Sequence, residues 1–288
     1  MSALLILAST VTHISEGLFI KQYNKRHDCG GFAFTAFVSF FSMLFFLIVD
    51  RDGFSIPTEL WWYGIAAGIL YCSASFLTYV ALQIGSYAMT MLILSYSVLM
   101  SIGYGLLFLN EQITAFILIG LLLMMISLYL VRVKKEPSDD DEKKGISLKW
   151  LICVGAATVG SGMFGVVQRM QQIRFHNVCT NEFMVIALSF SAATLMAVAI
   201  WKNRKDVPCF IRHGVFLSMG AGVSNGLTNA SVVLLHMLMP ISLSSPIRVG
   251  LKIVLSFLLS AFLLKEPFQK RQIFGVALGC VAVILLNV

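Results

Sequence analysis

Charge is what this chain has least of. Asp, Glu, Lys and Arg together make 12% of its residues, against about 25% in a soluble domain. From Leu60 to Asn110 there is none of them, and no histidine. A helix over that stretch, at about 1.5 Å per residue, suffices for two bilayer crossings of roughly 20 residues each. Water as the main solvent is excluded. Catalytic patterns are missing too: there is no H-E-x-x-H, no glycine-rich phosphate loop and no nucleophile set beside a base. Neither an enzyme nor a prosthetic cofactor is expected. The six cysteines show no C-x-x-C spacing, and Cys72, Cys153 and Cys280 lie inside apolar stretches. Structural thiols, and no metal site, are the expectation.

What is present is apolar. Hydrophobic residues make 58% of the chain and the mean hydropathy is +0.86. Apolar blocks run near 2–20, 32–49, 60–82, 86–108, 112–131, 148–169, 182–201, 211–236, 240–264 and 270–287, which predicts ten spans. They are read as helices because lipid offers backbone groups no water, and because the blocks are about twice the length a barrel strand needs. The first block has no basic residue before it and no small-residue cleavage site after it, so it reads as a span and not as a secretory signal. The formal charge of +7 comes from cations in short connections beside apolar blocks. Orientation in a lipid bilayer accounts for them, and no nucleic-acid partner is expected.

The one long polar run, RVKKEPSDDDEKKGISLK at 132–149, has a composition that cannot support packed structure. It divides the chain into a first five-helix repeat at 1–131, a polar linker at 132–147 and a second five-helix repeat at 148–288. A shift of 155 residues lays LNEQ (109–112) on LKEP (264–267), with Glu111 on Glu266, Gly120 on Gly275, Leu123 on Leu278 and Leu130 on Leu285. An odd number of spans per repeat makes the second copy cross in the opposite sense. The fold expected is therefore an all-α integral membrane protein, ten transmembrane helices arranged as two inverted five-helix repeats, with a midplane site between halves that alternate access.

HISEGLFIK (13–21), LFLNEQITAFILIG (107–120) and LLKEPFQKRQIFGVALG (263–279) carry a resemblance to the EamA branch of the drug/metabolite transporter superfamily, over essentially the whole chain. The resemblance implies a secondary transporter of small organic solutes with a central cavity lined from both halves. The chain departs from that pattern at His13, Glu16, Asn110 and Lys265, and it carries Arg248 and Lys252 where neutral residues are usual. The resemblance also implies both termini inside the cell. Charge says otherwise: sixteen Lys and Arg lie in the odd-numbered connections and only Arg51, Arg169 and Arg174 in the even ones, which by the positive-inside rule puts the termini outside.

Within the spans, Arg248 and Lys252 stand one helical turn apart, about 6 Å along the axis. Each costs roughly 2.5–3.5 kcal/mol at the bilayer centre unless it meets water, a counter-charge or an anionic ligand. Substrate binding is the sharper reading; a structural ion pair or snorkelling is the plainer one. Pro246, two residues before Arg248, predicts either a broken helix whose freed carbonyls Ser242, Ser244 or Ser245 helps satisfy, or a plain kink used for packing. Glu16, with His13 one turn earlier, either neutralises the cations, carries a coupling proton or reaches headgroup water. Asn225, Thr228 and Asn229 share a face, for helix-to-helix hydrogen bonding or for orienting a ligand. Tyr87, Ser95, Tyr96 and Ser97 form the fourth-span stripe opposite the ninth span, with Tyr96 the leading candidate. GIAAG (64–68), GVSNG (222–226) and GVALG (275–279) are small-residue patterns for close helix packing. Glu111 and Glu266 open helices, where the macrodipole favours a negative side chain, and are not an acid–base pair.

The expectation is thus a plasma-membrane transporter whose partners are a small-molecule substrate, a proton or other coupling ion, and lipid. An anion or zwitterion is favoured, meeting Arg248 and Lys252. The alternatives are a proton-coupled exporter of cationic or drug-like compounds centred on Glu16 and Tyr96, and a lipid-handling subunit or non-transporting receptor.

Overall fold

Apolar runs of this length, in lipid, can satisfy their backbone only within themselves, and the structure is helical wherever an element forms. The computed structural model is described over residues 2–26, 29–49, 56–85, 87–108, 115–131, 148–202, 204–239, 241–262 and 270–285. Its twelve helices are α1 Ser2–Arg26, α2 Gly31–Val49, α3 Thr58–Ile84, α4 Tyr87–Ser95, α5 Val98–Phe108, α6 Ala115–Val131, α7 Leu148–Arg174, α8 Thr180–Lys202, α9 Val207–His213, α10 Val215–Leu238, α11 Ile241–Phe262 and α12 Lys270–Leu285. Among the described residues, α1, α2, α3, α7 and α8 are long and apolar enough to cross a membrane. The polar linker, Glu111 and Glu266 lie outside the described residues.

Two helix boundaries depart from the expectation. A break was one of the two readings of Pro246, yet α11 continues through it. Pro246 is the sixth residue of that helix, where its missing N–H removes one bond just past the turn whose donors have no intrahelical partner anyway. The interruption falls instead at Tyr96–Ser97, between α4 and α5. There the amides of Tyr96, Ser97, Leu99 and Met100 bond back three residues, to Ile93, Leu94, Tyr96 and Ser97, at 3.0–3.2 Å, the tighter 3₁₀ spacing. No proline or glycine marks that break.

The most extensive helix pairings are α1 with α10, α3 with α7, α2 with α8, α2 with α10, α3 with α8, and α6 with α12. Small residues permit two of them. A Cβ at Gly64 or Gly68 of α3 would come within 2.5–2.9 Å of Ile186 or of Ala187 O and Phe190 in α8. One at Gly222 or Gly226 of α10 would come within 2.6–2.8 Å of Phe41 and Val38 O, or of the Phe45 ring, in α2. The GIAAG and GVSNG patterns act in packing, as expected.

Where α1 ends and α2 begins, the face opposite the N-terminus is closed by aromatics. Tyr23 stacks on Phe34 with centroids 4.5 Å apart, and Phe210 of α9 meets both edge-on at 6.4 and 6.2 Å; all three are fully buried. Gly30 supplies the left-handed turn before α2 at φ 66°, in a place where a Cβ would sit 2.7 Å from Phe210 Cβ. Cys29 and Cys209 form a disulfide beside this layer, and Tyr23 Oη donates to Cys29 O at 2.8 Å. This corrects the expectation of unpaired structural thiols. Local spacing identifies metal clips and redox motifs, whereas this bridge spans 180 residues and exists only once α9 has folded back over α2.

Candidate functional site

A mainly apolar cavity with polar groups set into its wall runs between α1, α2, α3, the α4–α5 break, α7, α10 and α11, in two chambers of about 180 Å³ each. His13, Ser97, Ser161, Phe164, Thr228, Asn229 and Lys252 line both. The first chamber is completed by Ser9 and Thr10 early in α1, Gln168 late in α7, His236 at the end of α10, and Arg248, which places it toward the N-terminal face. The second is completed by Glu16, Ile20, Tyr71, Asn225, and by Phe34 and Tyr79 of the aromatic layer, and lies toward the disulfide-bearing face. Each alone is smaller than the roughly 300–1,000 Å³ of a drug-sized site, so the space suits a small solute.

The cations are where the sequence put them. Arg248 and Lys252 come from one face of α11; Lys252 lines both chambers and Arg248 the first. Neither has a carboxylate within ion-pair distance among the described residues. Glu16, for which neutralising the cations was one of three readings, shares the second chamber with Lys252 but forms no ion pair within 4.0 Å with either cation. Its Oε1 accepts a hydrogen bond from Asn225 Nδ2 at 3.0 Å, and its Oε2 lies 3.7 Å from His13 Nδ1. His13 is one helical turn away and Asn225 faces α1 from α10, so the carboxylate is held on its own side of the cavity.

Asn225 is in turn fixed by its carbonyl, which accepts from Ser42 Oγ and from Asn229 Nδ2, each at 3.0 Å. The amide stripe hydrogen-bonds α1, α2 and α10 together, one of the two readings given for it, and Asn225 and Asn229 also line the cavity. Thr228 joins it, its hydroxyl 2.7 Å from that of Thr12. Tyr96 is not brought to the cavity. It packs with Leu92, Val98, Val249, Ile253 and Ala282, because the 3₁₀ turn rotates its side chain toward α11 and α12 and offers Ser97 to both chambers. The side chain of Ser245 lies outside the described residues.

Sequence reasoning passed over Ser161, Phe164, Gln168, Tyr71 and His236. Three of these were legible. Ser161, Gly165, Gln168 and Gln172 follow the helical spacing of one face of α7, and continuing the Asn225–Asn229 stripe by two turns of α10 reaches His236. The ring of Tyr71 packs 5.4 Å from that of Phe164, forming an apolar wall beside Glu16 that no local pattern announces.

The model of the EamA-like transporter family matches residues 1–133, the half that supplies α1, α2, α3 and the α4–α5 break to this cavity. No curated protein matches the chain. Among solved structures 28 chains match; one, from a crystal structure, superposes over 97% of this chain and 98% of its own with a TM-score of 0.67 at 16% identity. At that identity the likeness is one of fold.

Proposed function

From a chain whose residues 1–133 belong to the EamA-like transporter family, we propose a secondary active transporter that moves a small organic anion or zwitterion by alternating access around the two-chambered cavity. The observation that carries this reading is the Arg248–Lys252 pair, which lines the cavity with no carboxylate partner among the described residues. A desolvated cation without a contact ion pair is costly, and an anionic ligand offsets that cost while the site holds it. The protein is a membrane-spanning one, and it acts by moving its ligand, not by transforming it.

Ten spans follow if α4 and α5 are one crossing interrupted at Tyr96–Ser97 and α9 is a connector. Exchange of α1 with α7, α2 with α8, α3 with α10, α4–α5 with α11, and α6 with α12 maps the six most extensive pairings onto one another. Gly64 and Gly68, facing α8, then correspond to Gly222 and Gly226, facing α2. This packing supports an inverted repeat, in which rocking of the halves alternately exposes the cavity to the two faces. A plasma membrane is the setting in this reading.

Thermal stability of the purified protein against acidic, zwitterionic, neutral and cationic metabolites tests it. A ligand at about 100 times its dissociation constant stabilises by roughly 2.7 kcal/mol. Stabilisation by anions or zwitterions is expected, with loss in Arg248→Ala. The second reading, a proton-coupled exporter of cations, draws on Glu16 Oε2, which is buried without a hydrogen-bond partner beside Tyr71. Stabilisation by cations alone, surviving in Arg248→Ala and lost in Glu16→Gln, would replace the first reading with the second.

A further inference from the structure

The first chamber contains more hydrogen-bonding capacity than its neighbours use. Gln168 is only 3% exposed, lines that chamber, and leaves its Nε2 amide without a partner. His236, across the chamber on α10, has both ring nitrogens buried and unpartnered. Arg248 lines the same space without a carboxylate among the described residues. Each buried donor left unmade costs about 1–3 kcal/mol, and two such groups, from Gln168 and His236, converge here beside the charge of Arg248. The hydroxyls nearby do not satisfy them as donors: Ser9 and Thr10 both spend their protons on Ile6 O, at 3.0 and 2.7 Å.

We propose that Gln168, His236 and Arg248 form a second binding station for an oxyanion, between Lys252 and the N-terminal face. Gln168 offers an N–H pair, Arg248 its charged fork, and His236 at least one N–H, a set that suits the oxygens of a carboxylate or a phosphate. A cation finds little there. The only acceptors among the three are the Gln168 carbonyl and one nitrogen of neutral imidazole, and the guanidinium repels positive charge. Gln168 and His236 lie near the ends of α7 and α10, so an anion arriving from the N-terminal face meets this station first. Arg248 stands one turn from Lys252 and serves both: the anion is handed along α11 from the Gln168–His236 end to the Lys252–Glu16 end. This rests on the transport reading above and adds a staging point to it, with acidic solutes as the cargo.

Equilibrium binding of acetate, succinate and inorganic phosphate to the purified full-length protein tests the station, the carboxylates and phosphate separating the two sources of oxyanion. In Lys252→Met, anion binding persists within about tenfold of wild type, and adding Gln168→Leu or His236→Leu weakens it by a further tenfold or more. Where the leucine variants fail to fold, Gln168→Glu, of nearly the same shape but opposed charge, shows the same loss. If Lys252→Met alone abolishes binding while Gln168→Leu and His236→Leu match wild type, the second station does not exist and the transport site stands. The station is equally overturned if residual binding in Lys252→Met is indifferent to both leucine changes. If no anion binds the wild type, both readings fall together.

Discussion

Asn225 and Glu16, on α10 and α1, meet with Asn225 Nδ2 donating to Glu16 Oε1 at 3.0 Å. The amide cannot flip without loss, because its oxygen already accepts from Ser42 and Asn229. One asparagine thereby aligns the acid that lines the cavity and joins three helices.

Replacing Asn225 by Leu removes those bonds and leaves Glu16 with an unmet buried acceptor. A loss of about 1–3 kcal/mol is expected for the stranded group, read as a lower thermal midpoint of the purified protein. Asn225→Asp sets a second carboxylate against Glu16 and destabilises further. A midpoint unchanged in both variants would show that the bond is not formed.

Much of this was legible because the signals were local. Charge-free apolar runs announced long membrane-spanning helices, and Arg248 and Lys252 were conspicuous for their cost in lipid. The site's remainder depends on which way a helix face turns. Ser97 and not Tyr96 lines the cavity because of a 3₁₀ turn with no proline or glycine to flag it. Tyr71 and Phe164 meet between α3 and α7, a contact that no local pattern announces. The disulfide joins residues that only the folded connections bring together.

At the small-residue contacts, Gly222→Ala forces a methyl against Phe41 and Val38 O of α2, and Gly64→Ala forces one against Ile186 of α8. Overpacking of this kind costs about 1–3 kcal/mol. Gly103→Ala is the control, since a Cβ there meets nothing within 4 Å. Thermal melts of the three variants should separate the first two from the third.

Loss of the Cys29–Cys209 bridge, by Cys29→Ser or by reductant, releases a constraint across 180 residues. Destabilisation of about 2–4 kcal/mol is expected. Reductant should lower the thermal midpoint of the wild type and leave that of Cys29→Ser unmoved.

Under the ten-span reading the bridge lies on the face that carries the sixteen connection cations, and the two give opposite orientations. Positive charge prefers the cytoplasm, while disulfides persist in oxidising compartments. Because that persistence is largely confined to such compartments, the bridge favours the orientation with both termini inside, against the charge bias. In intact cells, an impermeant reductant followed by an impermeant maleimide should label the Cys29–Cys209 pair. Labelling only after permeabilisation would reverse the assignment.

Cys29 precedes the polar linker at 132–147 and Cys209 follows it, so the linker is not the only covalent tie between the two halves. A single proteolytic cut there makes two polypeptides that remain one molecule until a reductant divides them.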